Sequence, residues 1–420
     1  MKDRATTSRT DKGRVWPLAA AVISCLYCLS CLSDSGTLYA AEVRAVKPQN
    51  QAAVQPRPTL APTRDRTFSV LACGDIMLSR TPGKRAAEEG YRYLFSGVKD
   101  MVSQADIAFA NLESPASYIG TPYPGKAENI TFRADPATLF GVAWAGFDVL
   151  SIANNHINDY GTKALAETLD FIDLLGMSRC GAGIDAEDAR TPAVLDRDGT
   201  RFVFLGYAEP IWSVVEARSG TAARAYARVE ARLSARLSDR LSAPVSGQAG
   251  PTDTSRAGLA PIDRGTILAD IGRIKATLSP DYLFVSLHWG DELQHAPADW
   301  QRELGRAIID AGATAVLGHH PHVLQSVERY HDGLIIYSLG NFVFDMASGS
   351  TYDAAAVRIV VSGGRIDHAD ILPLSIERSS YRPVLSSADE AARRLADMQR
   401  WSASTQTTIL IQQGTGRLLF

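Results

Sequence analysis

The sequence predicts an α/β fold in which strands and helices alternate and the polar residues at the strand ends lie in one cleft. Two observations predict it. Short apolar segments of strand length alternate with longer amphipathic segments, which is the pattern of βαβ units. Three apolar segments, at residues 149–153, 282–287 and 313–317, are each followed within three residues by a histidine. Because open α/β sheets bind ligands at the carboxyl ends of their strands, these histidines predict a functional cleft at that edge.

The elements are placed by hydrophobic period and by the residues that end each segment. Strands are predicted at residues 67–73, 107–110, 149–152, 202–207, 283–287, 315–317, 334–339 and 355–361. Helices are predicted at residues 136–146, 162–175, 265–278, 298–311 and 387–401. Gly176 and Gly312 stand where two of these helices should end, because glycine readily adopts the left-handed conformation that follows a helix.

Length and composition favour a main globular domain with accessory segments. The 420 residues exceed one average domain, and 45% of them are hydrophobic and 21% charged. A net charge of -3 provides no basic surface for nucleic acid, so no nucleic-acid partner is expected. The sequence has neither the Gly-x4-Gly-Lys-Ser/Thr motif of P-loop enzymes nor the Gly-x-Ser-x-Gly motif of serine hydrolases.

Residues 1–41 have the pattern of an export segment. A basic leader that runs to Arg14 precedes an apolar stretch at residues 15–32. We therefore expect an exported protein that is periplasmic, anchored on the outer side of the membrane, or a lipoprotein. Cleavage near residues 40–41, lipidation at Cys25 and retention as a membrane anchor all remain open. Residues 42–66 are rich in Pro, Ala and Gln, which predicts a flexible linker.

The domain that carries the chemistry is predicted at residues 67–345. A variable insertion at residues 213–256, rich in Ala, Arg and Ser, is typical of a solvated surface segment more than of an anion-binding face. Residues 346–420 are expected to form a C-terminal α/β extension that completes the fold. Cys73 and Cys180 are predicted to be small buried hydrophobic residues, although an oxidising compartment would also allow a disulfide between them.

The polar residues that follow the predicted strands form a mixed oxygen and nitrogen ligand set. They are Asp75, Asn111, Glu113, Asn154, Asn155, His156, His288, His319, His320 and His322. Carboxylate, carboxamide and imidazole donors without thiolates suit Mn²⁺, Fe²⁺ or Zn²⁺. One residue separates His320 from His322, so in an extended chain both side chains point to the same side and can bind one ion or two adjacent ions.

Each of these residues also has a purely structural interpretation. Asp75 could cap the next helix, and Glu113 could be a charge in a first helical turn. Asn154 and Asn155 could be turn residues, and a single histidine at a strand end is more often hydrogen-bonded than metal-bound. The metal-site interpretation is preferred because potential metal ligands follow five separate strands, which chance alone would rarely produce.

Six motifs occur in order along the chain. They are Gly74-Asp75-Ile76-Met77-Leu78, Asn111-Leu112-Glu113, Ala153-Asn154-Asn155-His156 with Asp159 and Gly161, His288-Trp289-Gly290-Asp291-Glu292, Gly318-His319-His320-Pro321-His322, and Ser338-Leu339-Gly340-Asn341-Phe342. Over residues 68–345 the chain closely resembles the CapA family of bacterial capsule or poly-γ-glutamate synthesis proteins, which is similar to calcineurin-like metallophosphoesterases. The resemblance implies a four-layered α/β sandwich of the metallophosphoesterase type with a small C-terminal extension.

The resemblance also implies a role for each site residue. The implied metal ligands are Asp75 for the first ion, Glu113 as the bridging carboxylate, Asn155 and His288 for the second ion, and His320 and His322 to complete both sites. His156 would be the catalytic histidine that acts on the leaving group. The residues expected to bind substrate are Asn111, Asn154, His319 and Asn341. Met77 stands where the enzymes have a histidine, and a thioether is a poor ligand for such ions, so either one or two ions are expected.

Two functions follow as hypotheses. The first is a metal-dependent hydrolase of phosphoester or γ-glutamyl amide bonds, whose substrate is an acidic polymer such as poly-γ-glutamate or a phosphoester. The alternative is a non-catalytic accessory subunit that binds the polymer within a membrane synthesis or export complex. Turnover that a chelator abolishes would distinguish the first hypothesis from the second.

Overall fold

The structure is a computed structural model, and it describes residues 66–209, 256–346 and 349–420. The predicted export segment, the linker before Arg66 and the predicted insertion before Arg256 lie outside these residues. None of the helices in the described ranges has the length and apolar character needed to cross a membrane.

The strands of the described residues form two large sheets and one small one. In chain order they are β1 (Phe68–Ile76), β2 (Ile107–Leu112), β3 (Val149–Ser151), β4 (Ser178–Cys180), β5 (Ala182–Gly183), β6 (Ala193–Arg197), β7 (Thr200–Ala208), β8 (Gly258–Leu259), β9 (Tyr282–His288), β10 (Ala315–His319), β11 (Val327–Tyr330), β12 (Gly333–Ile336), β13 (Asn341–Val343), β14 (Asp353–Ser362), β15 (Arg365–Ile376), β16 (Pro383–Leu385), β17 (Leu410–Gln412) and β18 (Thr415–Leu419). The first sheet has the order β17-β18-β15-β14-β1-β2-β3-β4, with β13 beside β1 and β16 beside β15. The second has the order β11-β12-β10-β9-β7-β6, and β5 pairs with β8.

The helices lie between these strands along the chain. The α-helices are α1 (Arg80–Glu89), α2 (Lys99–Ser103), α3 (Leu139–Ala145), α4 (Gly161–Leu174), α5 (Ala186–Ala189), α6 (Arg264–Leu278), α7 (Asp299–Asp310) and α8 (Ala388–Ser402). Short 3-10 helices lie at Tyr93–Phe95, Glu128–Ile130, Pro136–Thr138, Gly349–Tyr352 and Ala403–Thr405. The N-terminal cap position of α1 is Ser79, so the alternative in which Asp75 caps this helix is wrong.

Four layers follow from the side-chain alternation of the strands, which sends successive residues to opposite faces of a sheet. In β1, Leu71 packs among the residues of α2, α3 and α4, whereas Val70 packs in the core between the two sheets. In β9, Phe284 faces that central core, whereas Val285 packs against α6 and α7. The predicted order of helices, sheet, sheet and helices is therefore confirmed.

The central core is rich in aromatic rings. Phe109 of β2 stacks on Phe204 of β7 with ring centroids 5.6 Å apart, and Phe204 stacks on Phe284 of β9 at 4.8 Å. All three side chains are fully buried. Burial of each such side chain stabilises the fold by roughly 1.5–3 kcal/mol, so this layer fixes one sheet against the other.

Parallel pairing brings the carboxyl ends of several strands to one edge. β1 to β4 run parallel to one another in the first sheet, and β7, β9, β10 and β12 run parallel to one another in the second. Asp75 of β1 is in register with Asn111 of β2 and with Asn341 of β13. His319 of β10 is in register with His288 of β9. Each sheet thus delivers polar side chains to the same edge of the sandwich.

Several elements differ from the sequence predictions. The strand predicted at residues 334–339 ends at Ile336, and the chain then crosses to the first sheet to form β13. α1 was not predicted because Pro82 and Gly83 usually oppose a helix, but proline is tolerated in a first turn, where its missing N–H has no helical partner. The strands β4 to β6 and β15 to β18 were also missed, since short segments of mixed polarity lack a clear period.

Other sequence predictions agree with the structure. Gly176 and Gly312 have φ values of 75° and 103°, as expected for residues that end helices. Cys73 and Cys180 are buried thiols without a disulfide, and burial raises the pKa of Cys180 to about 12. Within the predicted C-terminal extension, β14 pairs antiparallel with β1, so this segment continues the first sheet.

Candidate metal centre

Glu113 lies in the middle of a buried group of carboxylates and imidazoles at the strand edge. Its Oε1 atom is 3.6 Å from Nε2 of His322 and 3.8 Å from Nε2 of His288. Two groups of three potential metal ligands share Glu113: one adds His320 and His322, the other adds Asp75 and His288. Within each group the ligand atoms lie within 4.8 Å of one another. Glu113 is therefore the carboxylate that both groups of potential ligands have in common.

The carboxylate of Glu113 has no hydrogen-bond donor among the described residues, although both oxygens are buried. Burial, and secondly the charge of Asp75, raise the pKa of Glu113 well above its usual value. A buried carboxylate without a partner is unfavourable, and a divalent cation would satisfy both of its oxygens. The residues present therefore fit a metal ion.

Asp75 is the second carboxylate of the cluster and is held by two donors. Oδ1 accepts a hydrogen bond from Nδ2 of Asn111 at 2.9 Å and lies 3.0 Å from Nδ1 of His319. Burial would raise the pKa of Asp75, but the hydrogen bond and charge of His319 outweigh it, and the pKa is lowered. The carboxylate of Asp75 is therefore ionised at neutral pH, which is the form that can bind a cation.

Two histidines of the cluster, His288 and His320, have lowered pKa values and are neutral at neutral pH. Burial, and then the proximity of His320, lower the pKa of His288 well below its usual value. Burial, and then the proximity of His322, lower the pKa of His320 to about 3. Nε2 of His288 lies 2.9 Å from Oδ1 of Asn155 and 3.1 Å from Nδ1 of His320. Neutral imidazole is the form that binds metal ions, so these groups are in the required state.

Three of the residues expected to bind substrate, Asn111, His319 and Asn341, contact predicted metal ligands, and the fourth, Asn154, contacts Asn111. Asn111, Asn154, His319 and Asn341 are fully buried. Oδ1 of Asn341 lies 2.9 Å from Nδ1 of His322, and Nδ2 of Asn154 donates to Oδ1 of Asn111 at 3.1 Å. Such contacts orient metal ligands and raise their basicity. Their role toward substrate stays a prediction.

His156 stands at the side of the cluster and is held on three sides. Its Nδ1 atom lies 2.8 Å from Oδ2 of Asp159, and its ring stacks on Phe132 with centroids 3.9 Å apart. Lys126 forms an ion pair with Asp159 at 2.5 Å and lies 3.2 Å from Nδ1 of His156. The remaining nitrogen, Nε2, faces Oε1 of Glu113 at 4.0 Å. Burial lowers the pKa of His156 to about 4, so the ring is neutral at pH 7.

The backbone that carries the last two histidines is strained. His320 has a φ of 99° and His322 a φ of 58°, both in the left-handed region that residues with a Cβ rarely adopt. The extended conformation expected from their spacing is therefore wrong. Both imidazoles nevertheless reach the cluster, because the left-handed turns redirect the chain after β10. Strain of about 1–3 kcal/mol per residue persists where a functional geometry requires it.

Met77 takes no part in the cluster. Its sulfur accepts hydrogen bonds from the backbone and the hydroxyl of Ser79, at 3.2 and 3.0 Å. Its side chain packs with Phe132 and Phe344. The side chain of Met77 is thus held by Ser79 and by two aromatic rings.

Three residues near the site were not singled out from the sequence. Lys126 and Phe132 lie in the irregular segment between β2 and α3, and Phe344 follows β13. The rings of Phe344 and His322 have centroids 4.8 Å apart. No motif or period marks these residues, so only the folded chain could reveal them.

Comparisons with known proteins give a family match and several relatives. Residues 69–346 match the family described as bacterial capsule synthesis protein PGA_cap. The chain is 30% identical to the capsule biosynthesis protein CapA of Bacillus anthracis over 343 residues, which cover 80% of this chain and 75% of that protein. It is 28% identical to the PGA biosynthesis protein CapA of Bacillus subtilis, over 76% of this chain and 74% of that protein.

Two more distant similarities are to a mycobacterial protein and to a solved structure. A probable polyglutamine synthesis accessory protein of Mycobacterium tuberculosis is 25% identical, over 65% of this chain and 67% of that protein. Among solved structures, the chain is similar to a dimetal phosphatase from Danio rerio, with 12% identity and a TM-score of 0.35, over 73% of this chain and 95% of that one.

Proposed function

The chain belongs to the family of bacterial capsule synthesis proteins, and we propose that it is an exported, metal-dependent hydrolase of phosphoester or γ-glutamyl amide bonds. The observation that carries the proposal is the buried carboxylate of Glu113, shared by two groups of potential ligands and without a donor in the described residues. A cluster with this composition is costly to keep in a fold unless a cation occupies it.

The proposed ligands of the ion or ions are the residues that the structure brings together at the strand edge. They are Asp75, Glu113, Asn155, His288, His320 and His322. Oxygen and imidazole donors of this kind suit Mn²⁺, Fe²⁺ or Zn²⁺. The chemistry that such an ion supplies is Lewis-acid activation of a water and of the phosphoryl or acyl oxygen of the substrate.

His156 is the proposed proton carrier. Asp159 lies beside Nδ1 and fixes the tautomer, so that Nε2 is the atom free to accept a proton on the cluster side. A neutral imidazole in this position accepts a proton at Nε2 during the attack and delivers it to the departing oxygen or nitrogen. Phe132 stacks on the ring and, with the burial of the site, limits the access of bulk water.

The proposed substrate is an acidic capsule polymer of the poly-γ-glutamate kind, or a phosphoester intermediate of its synthesis. The names of the similar proteins from Bacillus and Mycobacterium support the polymer, because they refer to capsule, PGA and polyglutamine synthesis. The basic and apolar pattern of residues 1–41 supports export to the periplasm or to the outer side of the membrane.

A second candidate function is a non-catalytic accessory subunit of a membrane synthesis or export complex. It is favoured by the word accessory in the name of the mycobacterial relatives and by the loss of a histidine ligand at Met77. In this case the cluster would be structural or would help to bind the polymer. The second function predicts retention of the polymer without turnover, and no effect of a chelator on retention.

The test is hydrolysis of phosphomonoester, phosphodiester and γ-glutamyl-peptide substrates with added Mn²⁺, for the wild type and His156→Ala. We expect activity that a chelator removes and that falls about 100-fold or more in the variant, the usual size of a general acid–base contribution. His331→Ala, at an exposed histidine paired with Asp310, is the matched control. Activity that survives His156→Ala, or no turnover of any substrate class, would count against the hydrolase.

A further inference from the structure

A surface cleft is separated from the candidate metal cluster by aromatic side chains. It has a volume of about 470 Å³ and is lined by Arg80, Thr81, Lys84, Glu128 and Asn129. Arg80 and Lys84 are four residues apart on α1 and therefore project from the same face of that helix. The cleft thus presents a guanidinium and an ammonium group beside the carboxylate of Glu128, and the guanidinium also pairs with Asp345.

Two aromatic rings connect this cleft to the cluster. The guanidinium of Arg80 lies 4.7 Å from the ring centroid of Phe132 and 5.8 Å from that of Phe344. On its other side, Phe132 stacks on His156, and Phe344 packs against His322. One aromatic side chain therefore separates the cationic cleft from the proposed catalytic histidine, and another separates it from a proposed metal ligand.

Arg80 is fixed in place, whereas Lys84 is available. Arg80 pairs with Asp345 and donates to the backbone oxygen of Asn129 at 2.6 Å, which holds its guanidinium over the rings. Its backbone has a φ of 48°, a strained value for a residue with a Cβ. Lys84 is exposed and forms no ion pair with another described residue. The charge of Arg80 is therefore compensated by Asp345, and the ammonium group of Lys84 is the cation that the cleft offers to a bound anion.

We propose that this cleft is a second anion-binding subsite, which binds a carboxylate of the acidic polymer while another unit of the same chain lies at the metal cluster. The inference rests on the proposed function, since its ligand is the polymer named there. A site of this kind favours a chain with repeated negative charges over a single unit, because the second contact becomes intramolecular once the first has formed.

The test compares Lys84→Glu with Arg365→Glu. Arg365 is the exposed first residue of β15, near the end of β1 opposite to Asp75, and both substitutions change the net charge by the same amount. Affinity is measured by calorimetry for a short poly-γ-glutamate chain and for a γ-glutamylglutamate dipeptide. Lys84→Glu is expected to weaken binding of the chain by about fivefold, the size of an exposed ionic contact, with a smaller effect for Lys84→Gln.

The remaining outcomes decide the inference separately from the hydrolase proposal. Binding of the dipeptide, and any turnover of a small chromogenic ester, should be unchanged in Lys84→Glu. Chain binding that Lys84→Glu and Arg365→Glu weaken equally would overturn the subsite, and so would a wild type that does not retain the polymer. Stronger binding of polyphosphate that depends on Lys84 would overturn the assignment to carboxylates. If Lys84→Glu alone weakens chain binding while no substrate is turned over, the subsite stands and the hydrolase proposal fails.

Discussion

Oε1 of Glu113 and Nε2 of His322 lie 3.6 Å apart, and neither oxygen of that buried carboxylate has a hydrogen-bond donor in the described part of the chain. The two atoms are too far apart for a hydrogen bond but close enough to bind a common cation. This pair of atoms is the observation that most favours the proposed metal ion at the strand edge.

The carboxylate of Glu113 should be required for metal binding. We expect the purified wild type to contain one or two divalent ions per chain, and Glu113→Gln to bind them at least tenfold more weakly, because the amide carries no negative charge. Elemental analysis and competition with a chelator measure this. Glu303→Gln, at an exposed position of α7, is the control. Equal metal content in both variants would contradict a site at Glu113.

The contact between Asn341 and His322 should tune metal affinity without providing a ligand. Oδ1 of Asn341 lies 2.9 Å from Nδ1 of His322, and its amide donates to the backbone oxygen of Thr351 at 3.2 Å. Asn341→Ala removes the acceptor, so we expect metal affinity to fall by about 10–100-fold, the usual effect of losing a group that orients a ligand. Asn341→Asp keeps an acceptor and should retain more of the affinity. Metal titration in which Asn341→Ala matches the wild type would contradict this role.

The stability of the metal-free protein should decrease in acid because of His156. Burial lowers the pKa of His156 from 6.5 to about 4, so below pH 6.5 the unfolded chain binds a proton that the folded chain does not. The free energy of unfolding is therefore unaffected by the titration of His156 above pH 6.5. It decreases as the pH falls toward 4, by about 3 kcal/mol in total. Urea unfolding in chelator at pH 7.5, 6.5, 5.5 and 4.5 measures it.

The variant His156→Gln isolates that contribution. Glu113 acts with the opposite sign, since its raised pKa reduces stability as the pH rises above about 4.5, but it is present in both proteins and cancels in the difference. We expect the free energy of unfolding of His156→Gln to change less between pH 6.5 and 4.5 than that of the wild type. Parallel pH profiles for the two proteins would show that His156 is not held neutral by the fold.

Gly318 should tolerate no side chain. A Cβ at this position would lie 1.9 Å from the backbone oxygen of Tyr337. Gly318→Ala must therefore push β10 away from the segment at Tyr337, just before His319. We expect a loss of about 3 kcal/mol or more in the free energy of unfolding, together with weaker metal binding. Gly272→Ala in α6 has open space and should stabilise the protein by about 0.5–1 kcal/mol. Thermal or urea unfolding that ranks the two variants equally would contradict the close approach.

The sequence was informative about the strand ends. The apolar runs before Asp75, His288 and His319 predict buried strands, and all three residues lie at or next to the carboxyl ends of the strands. This inference works because a parallel strand is apolar along its length and its polar residues collect where it ends. The CapA-family resemblance predicted from six motifs is confirmed by the match over residues 69–346.

The surroundings of His156 could not be predicted. Asp159 is near His156 in sequence, but Lys126 and Phe132 come from an irregular segment. Arg80 comes from α1, which was not predicted because it contains proline and glycine. Contacts of this kind depend on where loops cross above the strand edge, and hydrophobic period carries no information about that. The bonds from Ser79 to the sulfur of Met77 are equally invisible in the sequence.

The amino-acid sequence alone determined the alternation of strands and helices, the family, and the oxygen and imidazole chemistry placed at the strand ends, because these depend on local period and residue type. Only the tertiary structure decided that Glu113 is common to two groups of potential ligands, that burial lowers the pKa of His156 beside Asp159, and that Phe132 lies between His156 and Arg80. The physical reason is that charge, burial and distance between remote segments exist only after the two sheets have packed together.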